Sequence, residues 1–468
     1  MVRQRSRPVA TLTCPWCGTE SQVALGRCPQ CSRYLMRLPS WATGRRSRWF
    51  TRRRLVYAGI LVLLLSFIAW LNYPFLPDPV ILLSRRPVTK LSSASSPGQW
   101  SMSGRDLQLT RYLASVPRQP EGRVVWSQYL GEATRSAPSV VDGIAYVGSH
   151  FKVLALDAAT GKVVWERETT GPVHPSLAVA GDNLYLGLLD HRVLALERRT
   201  GEVRWEFKTQ DAVTASPAVA NGMVYAASWD GFIYALDASN GKPIWKYEAK
   251  GPVRTSPAIH DGVLFATDTD GNLHAVNART GQSRLRFRTT GSATASPVVA
   301  NGLVYFPADG RVFAVGASAR GIPGEYQLKA VWAQFWIWRV PGIPRPPGQK
   351  GGRWRFTPEK SHGIISSPAV APEAFYVGDT GGNFHARDAL LGTERWRFRA
   401  GGPIVASPVV LGERVYFGAR DGFLYALDRS SGQAVWRISL GAPIEVSPVF
   451  AADRLYVRTA DGRLHAVE

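Results

Sequence analysis

The amino-acid sequence predicts an all-β protein: an eight-bladed β-propeller closed by an N-terminal strand, preceded by a small zinc ribbon and one transmembrane helix. Three observations support the propeller. A tryptophan returns about every 40 residues, turn signals divide each repeat into four strand-like runs, and the inner-strand sequence recurs eight times. Such a period with several short strands per unit is typical of propellers. The repeat tryptophans are Trp126, Trp165, Trp205, Trp245, Trp354, Trp396 and Trp436.

Each repeat reads as a four-stranded antiparallel meander. In residues 205–245, turn pairs such as Asn221-Gly222 and Asp230-Gly231 separate the runs TASPAVA, GMVYAAS, GFIYALD and KPIWKYE. Asn-Gly and Asp-Gly favour tight hairpins because both residues tolerate a positive φ. A single blade cannot bury both of its faces, so we expect blades to stack around an axis. The outer-strand tryptophan should then pack on the neighbouring blade.

The inner-strand sequence, usually Ser-Pro followed by apolar residues, shows how the ring closes. The eighth copy reaches Glu468 with three strands, while GRVVW (122–126) is a fourth strand with no blade before it. We expect this strand to complete the last blade and remove the open sheet edges, so the propeller is assigned to residues 122–468. Because Ser-Pro recurs in six blades, we expect these pairs to have a structural role in the fold. The copies start at Ala137, Ser176, Ser216, Ser256, Ser296, Ser367, Ser407 and Ser447.

The motif A-x-D-x-x-x-G-x-x-x-W, with Ser-Pro on the inner strand, resembles the pyrrolo-quinoline-quinone-type propeller repeat. That family includes quinoprotein alcohol dehydrogenases and the propeller lipoprotein of the bacterial outer-membrane barrel assembly machinery. The resemblance covers residues 122–468 and implies the propeller fold. It leaves activity open, because function resides in sites rather than in folds.

A dehydrogenase site is not expected. The resemblance implies a vicinal disulfide, an acidic base and a calcium ion, but residues 122–468 contain no cysteine. Acids such as Asp230 and Asp421 precede glycine and read as turn residues, and Glu445 alone does not make a metal site. Pyrrolo-quinoline quinone is therefore not expected as a cofactor, nor is the protein expected to be an enzyme. The histidines that share one third-strand position are expected to be structural: His274, His385 and His465.

All four cysteines lie near the N-terminus, in two Cys-x-x-Cys pairs with ten residues between them: Cys14, Cys17, Cys28 and Cys31. Two such pairs supply four thiolates in the tetrahedral arrangement of a closed structural zinc site. We assign residues 11–34 to a zinc ribbon folded by its metal. The alternatives are a redox dithiol pair or two disulfides.

An apolar stretch follows the ribbon. Residues 55–71 carry no charge, and with the apolar residues that continue to Leu76 they reach roughly the 20 residues that span a bilayer. Arginines crowd residues 45–54, so the positive-inside rule places the N-terminus in the cytoplasm. We expect a single-pass helix over 55–76 in the inner membrane, with the propeller periplasmic or extracellular. A cleaved signal peptide is the alternative, but no small-residue cleavage site lies at the right distance.

Residues 77–121 are expected to form a flexible linker, because they contain the proline-bearing DPVILLSRRP and the small-residue run SSASSPG.

A second irregular segment is an insertion in the fifth blade, residues 317–350, with five basic residues against one glutamate. Its aromatic and basic residues suit a membrane interface or a partner's groove: Trp332, Phe335, Trp336, Trp338 and Arg339. The alternative is a flap packed on the side of the propeller. Because hairpin turns alternate between faces, insertion and linker should emerge on one face.

The net charge of +21 is concentrated in residues 1–54, which hold twelve arginines and one glutamate. Membrane topology and anionic headgroups already explain the arginines near the apolar stretch, so nucleic-acid binding is not expected.

We predict a membrane-anchored, non-enzymatic propeller scaffold or assembly factor that binds envelope proteins outside the cytoplasm. The alternatives are a quinone-dependent dehydrogenase-like enzyme and a transmembrane sensor that signals to the zinc ribbon. The oligomeric state is left open.

Overall fold

The computed structural model describes residues 11–14, 17–22, 28–32, 48–72 and 90–468, except 97, 133, 322–324 and 360–361. It divides the chain into two compact units, Met1–Asn72 and Tyr73–Glu468. Parts of the predicted ribbon, membrane helix and linker lie outside the described residues, namely 15–16, 23–27, 33–34 and 73–89.

The N-terminal unit contains a short hairpin and a long helix. Strands β1 (Thr11–Thr13) and β2 (Glu20–Gln22) pair antiparallel, and helix α1 spans Arg48–Asn72. The described side chains of α1, those of residues 55–67, are all exposed. Over the residues whose side chains are described, no helix is long and apolar enough to cross a membrane.

The propeller unit begins with two strands that join later blades: β3 (Tyr112–Leu113) and β4 (Val124–Tyr129). Blade 1 comprises β5 (Ser139–Val141), β6 (Ile144–Ser149), β7 (Lys152–Asp157) and β8 (Val163–Glu168). Blade 2 comprises β9 (Ala178–Ala180), β10 (Asn183–Leu188), β11 (Arg192–Glu197) and β12 (Val203–Lys208). Blade 3 comprises β13 (Ala218–Ala220), β14 (Met223–Ala227), β15 (Phe232–Asp237) and β16 (Pro243–Glu248). Blade 4 comprises β17 (Ala258–His260), β18 (Val263–Thr267), β19 (Asn272–Asn277) and β20 (Ser283–Arg288).

Blade 5 comprises β21 (Val298–Ala300), β22 (Leu303–Ala308), β23 (Arg311–Gly316) and, after helix α2 (Glu325–Ile337), β24 (Gly352–Phe356). Blade 6 comprises β25 (Ala369–Val370), β26 (Ala374–Gly378), β27 (Asn383–Asp388) and β28 (Glu394–Arg399). Blade 7 comprises β29 (Val409–Leu411), β30 (Arg414–Gly418), β31 (Phe423–Asp428) and β32 (Ala434–Ser439). Blade 8 comprises β33 (Val449–Ala451), β34 (Arg454–Arg458), β35 (Arg463–Val467) and β4. The described residues thus form eight antiparallel blades, which confirms the predicted eight-bladed propeller.

Strand β4 closes the ring. It pairs antiparallel with β35, with Trp126 opposite Ala466, and the amides of Gly122 and Arg123 both donate to the carbonyl of Glu468 at 2.8 Å. The predicted closure by an N-terminal strand is confirmed. The outer strand of blade 8 therefore comes from the beginning of the propeller, and the ring is sealed by backbone hydrogen bonds.

The repeat tryptophans pack on the next blade, as expected. Trp205 Nε1 donates to the carbonyl of Ala238 at 3.0 Å, and the Tyr185 hydroxyl donates to the same oxygen at 3.0 Å. The indole covers Gly241, whose φ is +71° and which has no room for a Cβ atom. Equivalent indole bonds occur at Trp126, Trp165, Trp245 and Trp396. The motif spacing thus specifies the contact between blades.

A chain of serine hydroxyls joins the innermost strands. The amide of Ser176 donates to Ser216 Oγ at 3.0 Å, and the amide of Ser216 donates to Ser256 Oγ at 3.0 Å. The same bond links Ser367 to Ser407 at 3.0 Å. Each hydroxyl therefore connects the start of one blade to the start of the next. This structural role explains why the serine recurs in the repeat.

Residues 90–113, which we name the plug segment, do not form the flexible linker expected there. Ser93, Trp100, Met102 and Leu109 are at most 2% exposed, and β3 pairs in parallel with β29. Buried backbone groups need hydrogen-bond partners, and the free edges of the inner strands supply them. The backbone contacts reach all eight blades: Ser93 with Val219, Gly98 with Ala452, Trp100 with Val140, Ser101 with Val179, Leu107 with Ile259, Gln108 with Val299, Thr110 with Val370 and Arg111 with Val410.

The plug segment starts at one face of the propeller. The carbonyl of Leu91 accepts from Gly222 N at 2.8 Å, and a Cβ at Gly181 would lie 2.8 Å from the Leu91 side chain. Both glycines lie in turns between first and second strands, so we name this side the plug face. Turns between third and fourth strands emerge on the same side, and one of them, between β23 and β24, carries the insertion. The plug segment therefore starts on the face that carries the insertion.

Candidate metal centre and interaction surfaces

The four cysteine side chains converge. Their Sγ atoms all lie within 4.8 Å of one another, with 3.6 Å between Cys14 and Cys31 and 3.5 Å between Cys17 and Cys28. None of the four cysteines forms a disulfide. The sequence prediction that these residues form one cluster is therefore confirmed.

Two backbone turns aim the thiols at a common centre. Gly18 N donates to the carbonyl of Cys14 at 2.9 Å, and Ser32 N donates to the carbonyl of Cys28 at 2.9 Å. Gly18 has a φ of +72°, which glycine adopts without strain. Hydrogen bonds, first of all from the Thr19 side chain, lower the pKa of Cys17 to about 6. A thiol with so low a pKa is largely thiolate at neutral pH, and thiolate is the form that binds metals.

The cluster fits a tetrahedral metal ion. With metal–sulfur bonds of about 2.3 Å, the sulfur atoms of such a site lie about 3.8 Å apart. The observed separations, from 3.5 Å up to 4.8 Å, surround this value. The four cysteines can therefore bind a metal ion.

The insertion is held against the outer strand of blade 4. The Gln349 side chain accepts from Arg288 N at 2.7 Å and donates to Arg288 O at 2.6 Å. Near the other end of the insertion, Gly321 N donates to the carbonyl of Arg284 at 2.8 Å. Between these points Lys329 forms an ion pair with Glu325 at 2.6 Å. The insertion is thus attached to β20 near both of its ends.

The predicted contact residues of the insertion are exposed. The exposed fractions are 43% for Trp336, 65% for Trp338 and 42% for Phe335. Trp332 is 36% exposed and its Nε1 donates to the carbonyl of Pro344 at 2.9 Å, so part of its role is to hold the insertion together. These aromatic side chains are therefore not packed flat on the side of the propeller, which was the alternative interpretation of the insertion. We name the exposed apolar set the α2 surface: Leu328, Val331, Phe335, Trp336, Ile337 and Trp338.

Arg339 lies just beyond α2. It has a φ of +55°, and its amide donates to the carbonyl of Trp336 at 3.0 Å. This turn ends the helix and leaves the Arg339 side chain exposed beside the α2 surface.

The three repeat histidines do not meet at one site. His274 Nε2 bonds Asp268 at 2.8 Å, and His385 Nε2 bonds Asp379 at 3.0 Å. His465 Nε2 lies 3.1 Å from Thr459 Oγ1. Each imidazole thus supports its own hairpin, which confirms the structural role predicted for these residues.

The acids considered for catalysis are engaged in local contacts. Asp230 accepts from the Tyr234 hydroxyl at 2.7 Å, and Asp421 accepts from Tyr425 at 2.5 Å. Glu445 forms an ion pair with Arg420 at 2.9 Å. The two aspartates therefore stabilise the turns in which they lie, as expected from the glycine that follows each of them.

One buried residue that links two blades was not identified from the sequence. Arg458 is fully buried, and its Nη1 donates to the carbonyl of Gly148 at 2.6 Å and to Thr134 Oγ1 at 2.8 Å. Burial lowers the pKa of Arg458 to about 10, so the side chain stays charged at neutral pH. Comparison of the repeats could have identified it, because the position that is Arg458 in β34 is a glycine in other blades: Gly148 in β6 and Gly187 in β10.

The sequence profile of the family described as outer membrane protein assembly factor BamB matches residues 115–210, 189–320 and 338–468. These ranges cover most of the chain and nearly the whole propeller. The chain belongs to this family. Residues 321–337, which include α2, fall outside the matched ranges.

Two curated relatives match shorter segments. The chain is 31% identical over 120 residues to quinohemoprotein alcohol dehydrogenase ADH-IIG of Pseudomonas putida, covering 22% of this chain and 17% of that protein. It is 30% identical over 118 residues to quinoprotein alcohol dehydrogenase PedH of Pseudomonas putida, covering 21% and 20%. The matches thus span about a fifth of these relatives and show a shared repeat.

Solved structures show the same fold. BamB from Moraxella catarrhalis superposes with a TM-score of 0.58 at 17% identity, covering 74% of this chain and 97% of that chain. Quinohemoprotein alcohol dehydrogenase from Comamonas testosteroni gives a TM-score of 0.64 at 15% identity, covering 86% and 84%. Because assembly factors and dehydrogenases share this fold, the fold alone does not decide the activity.

Proposed function

We propose that this chain is a membrane-anchored, non-enzymatic scaffold that binds proteins of the bacterial envelope through the α2 surface. The observation that carries the proposal is the set of large apolar side chains exposed on α2 and just beyond its end, with Leu328 67%, Ile337 62% and Trp338 65% exposed. Large exposed apolar areas on folded proteins mark interaction sites. Membership of the BamB family supports an assembly role.

The chemistry of the α2 surface favours a protein partner. Tryptophan and arginine are enriched among the residues that dominate binding energy at interfaces, and Arg345 lies 5.9 Å from the ring centroid of Trp336. The insertion carries five basic residues and one glutamate. A complementary partner would therefore offer an apolar groove with an acidic rim.

Co-purification tests this proposal. The double variant Trp336→Ser, Trp338→Ser removes two exposed indoles and spares Trp332, whose indole bonds within the insertion. We expect recovery of envelope proteins with the tagged full-length chain to fall about tenfold or more. The matched control is Val163→Ser, Val164→Ser, which changes two exposed apolar residues of β8. Equal recovery by both variants and the wild type would contradict the proposal.

The proposal also places α1 in the inner membrane, with the N-terminus in the cytoplasm and the propeller outside it. Its support is the uncharged run 55–71, the arginines before it and the exposure of the described α1 side chains. A C-terminal alkaline phosphatase fusion should be active, while a C-terminal green fluorescent protein fusion should stay dark. The reverse pattern would refute this orientation.

We further propose zinc as the metal of the cysteine cluster, because four thiolates in a tetrahedral arrangement select it. Metal analysis of the purified chain should find about one zinc per molecule. Cys28→Ser should lose it, while the neighbouring Ser32→Ala should keep it. Retention of zinc by Cys28→Ser would place the metal elsewhere, and rapid alkylation of all four thiols without zinc release would favour a redox role.

A quinone-dependent dehydrogenase is the second candidate, favoured by the matched segments of ADH-IIG and PedH. Addition of pyrrolo-quinoline quinone and calcium should leave the full-length chain without alcohol-dependent reduction of an electron-acceptor dye. Sustained turnover would replace the scaffold proposal with this one.

A further inference from the structure

An exposed apolar turn distinguishes blade 6 from the other blades. Leu390 and Leu391 lie in the turn between β27 and β28 and are 58% and 70% exposed. Turns between third and fourth strands emerge on the plug face, so both leucines lie on that face. In blade 6 the residue before the turn glycine, Gly392, is a leucine. The corresponding residue is polar in five other blades: Thr160, Thr200, Asn240, Thr280 and Ser431.

The leucine side chains are not needed to form this turn. Asp388 Oδ1 accepts from the amides of both leucines at 3.0 Å. In blade 7 the corresponding Asp428 Oδ1 accepts from the amides of Ser430 and Ser431 at 3.0 and 2.8 Å. The backbone turn is thus the same with leucine or serine. Because the fold does not require these exposed apolar side chains, contact with another surface is the simplest explanation for them.

The outer strands of the neighbouring blades 4, 5 and 6 are strongly basic. Strands β20, β24 and β28 carry eight arginines and one glutamate, whereas the other five outer strands carry five basic and four acidic residues. Arg395 and Arg397 form ion pairs at 2.9 Å, but the exposed Arg353 and Arg355 form none with the described residues. We name these eight residues the basic edge: Arg284, Arg286, Arg288, Arg353, Arg355, Arg395, Arg397 and Arg399.

Repulsion between positive charges is evident at Arg284. Its pKa is lowered first by burial and then by the positive charge of Arg320 in the insertion. An anionic surface placed against the basic edge would supply counter-charge. Exposed large apolar residues beside arginines are typical of proteins that bind the surface of an anionic bilayer.

The length of the connection to α1 brings lipid close to the plug face. Residues 73–89, which are 17 residues, lie between α1 and the next described residue, and a fully extended chain of that length spans at most about 60 Å. The plug segment, to which they lead, starts on the face that carries Leu390 and Leu391. If α1 lies in the membrane, as proposed above, the bilayer is therefore present at a high effective concentration, at which weak contacts suffice.

We propose that the leucine turn of blade 6 and the basic edge bind the surface of an anionic phospholipid bilayer. Leu390 and Leu391 would enter the boundary between headgroups and acyl chains, and the arginines would bind lipid phosphate groups. This inference rests on the proposed function, because it needs α1 in the membrane. The α2 surface belongs to the neighbouring blade 5, so it would meet its protein partner close to the bilayer.

Fluorescence quenching in nanodiscs tests the inference. A fluorescent amino acid is introduced into the full-length chain at one position, and the nanodiscs contain phosphatidylglycerol and a spin-labelled phospholipid as the quencher. We expect a fluorophore at position 391 to lose as much fluorescence as one at Leu63 of α1. A fluorophore at Thr200, in the corresponding turn of blade 2 on the other side of the ring, should keep its fluorescence.

Two changes of charge complete the test. The double variant Arg353→Gln, Arg355→Gln should reduce the quenching at position 391, because each arginine near an anionic surface strengthens binding about fivefold. Replacing phosphatidylglycerol by phosphatidylcholine should reduce it as well, while Arg167→Gln, an exposed arginine of β8, should leave it unchanged.

The outcomes separate this inference from the proposed function. No quenching at position 63 would contradict the membrane anchoring itself. Quenching at position 63 but not at position 391, as expected if a protein covers the turn instead, would overturn the inference alone. Quenching at position 391 that neither the arginine variant nor the change of lipid reduces would also overturn it.

Discussion

Most repeat tryptophans make two contacts with the following blade: the indole N–H donates to a backbone carbonyl, and the indole ring packs on a glycine. The Trp205 indole donates to the carbonyl of Ala238, which also accepts from Tyr185, so both lone pairs of that oxygen are used. The six-membered side of the indole lies against Gly241. A blade is therefore fixed to its neighbour by a hydrogen bond and by a contact that only glycine permits.

We predict that Gly241→Ala lowers the free energy of unfolding by about 3 kcal/mol, because the new Cβ adds overpacking to positive-φ strain. That Cβ would lie 2.6 Å from Trp205 Cε3. The matched control is Gly262→Ala, with a φ of +70° and nothing within 4 Å of the new Cβ. It should cost about 1 kcal/mol from backbone strain alone. Denaturant unfolding measures both, and equal losses would contradict the packing role of Gly241.

Asp379 gives the fold an acid dependence. Despite its burial, hydrogen bonds hold the pKa of Asp379 at about 2, below the ordinary value of 3.8. A depressed folded-state pKa stabilises the protein above the unfolded pKa, and the stabilisation is lost as the pH falls toward 2. We therefore expect the stability difference between the wild type and Asp379→Asn to be constant from pH 7 to 5 and to shrink below pH 4. A difference independent of pH across this range would contradict the assignment.

At the scale of elements, the plug segment distinguishes this propeller from a simple ring of blades. Its serines, which look like linker residues, make buried bonds: Ser93 Oγ accepts from Val219 N at 3.0 Å, and the amide of Ser101 donates to Ser95 Oγ at 2.9 Å. Gly104 adopts a φ of +70°, and a Cβ there would clash with the Leu109 backbone at 2.8 Å. The segment thus occupies the centre of the ring as an ordered element.

Hydrogen exchange tests the plug segment. The amides of Ser93 and Trp100 donate to blade carbonyls, and those of Ser101, Leu109 and Arg111 donate to acceptors within the segment. Peptides covering residues 93–113 should therefore exchange as slowly as blade strands. Residues 340–348 of the insertion, which are exposed or half-buried and contain no strand, are the control and should exchange rapidly. Rapid exchange of residues 93–113 in the intact protein would show that the plug is open in solution.

The blade strands could be predicted because their signals are local: Asn-Gly and Asp-Gly turns, and apolar alternation between them. The cysteine cluster could be predicted for the same reason. The plug segment could not, since its partners come from eight blades and its composition, with SSASSPG, matches a linker. The aromatic composition of the insertion predicted an interaction surface, but not that the insertion would be attached to β20 near both of its ends. The ring beside the repeat histidine also differs between blades, tyrosine at His274 and phenylalanine at His385, and no periodic pattern reveals this difference.

At the scale of the whole molecule, the ring is not covalently continuous between β35 and β4 of blade 8. Strand pairing joins these two strands, and side chains add further contacts near this seam. Arg458 of blade 8 is fully buried and donates to the carbonyl of Gly148 in blade 1. Arg123 forms an ion pair with Glu468 at 2.6 Å, but Arg123 is exposed, so this pair contributes little. The buried Arg458, which joins blade 8 to blade 1, therefore contributes more to ring closure than the exposed ion pair within blade 8.

We predict that Arg458→Ala destabilises the propeller by about 3 kcal/mol, because it leaves a void and unpaired buried acceptors. Arg463→Ala, which changes an exposed arginine of the same blade, should cost less than about 0.5 kcal/mol. Thermal or denaturant unfolding distinguishes the two. A small loss for Arg458→Ala would mean that β4 pairing alone holds the ring closed.

The central claim is that the α2 surface contacts an envelope protein in the cell, and site-specific photo-crosslinking tests it most directly. A photoreactive residue at Ile337, which is 62% exposed, should form an adduct with an envelope protein identifiable by mass spectrometry. The same residue at Val163 of β8, 45% exposed, should not, and Trp336→Ser should abolish the adduct at position 337. No adduct at position 337, or the same adduct at both positions, would contradict the claim.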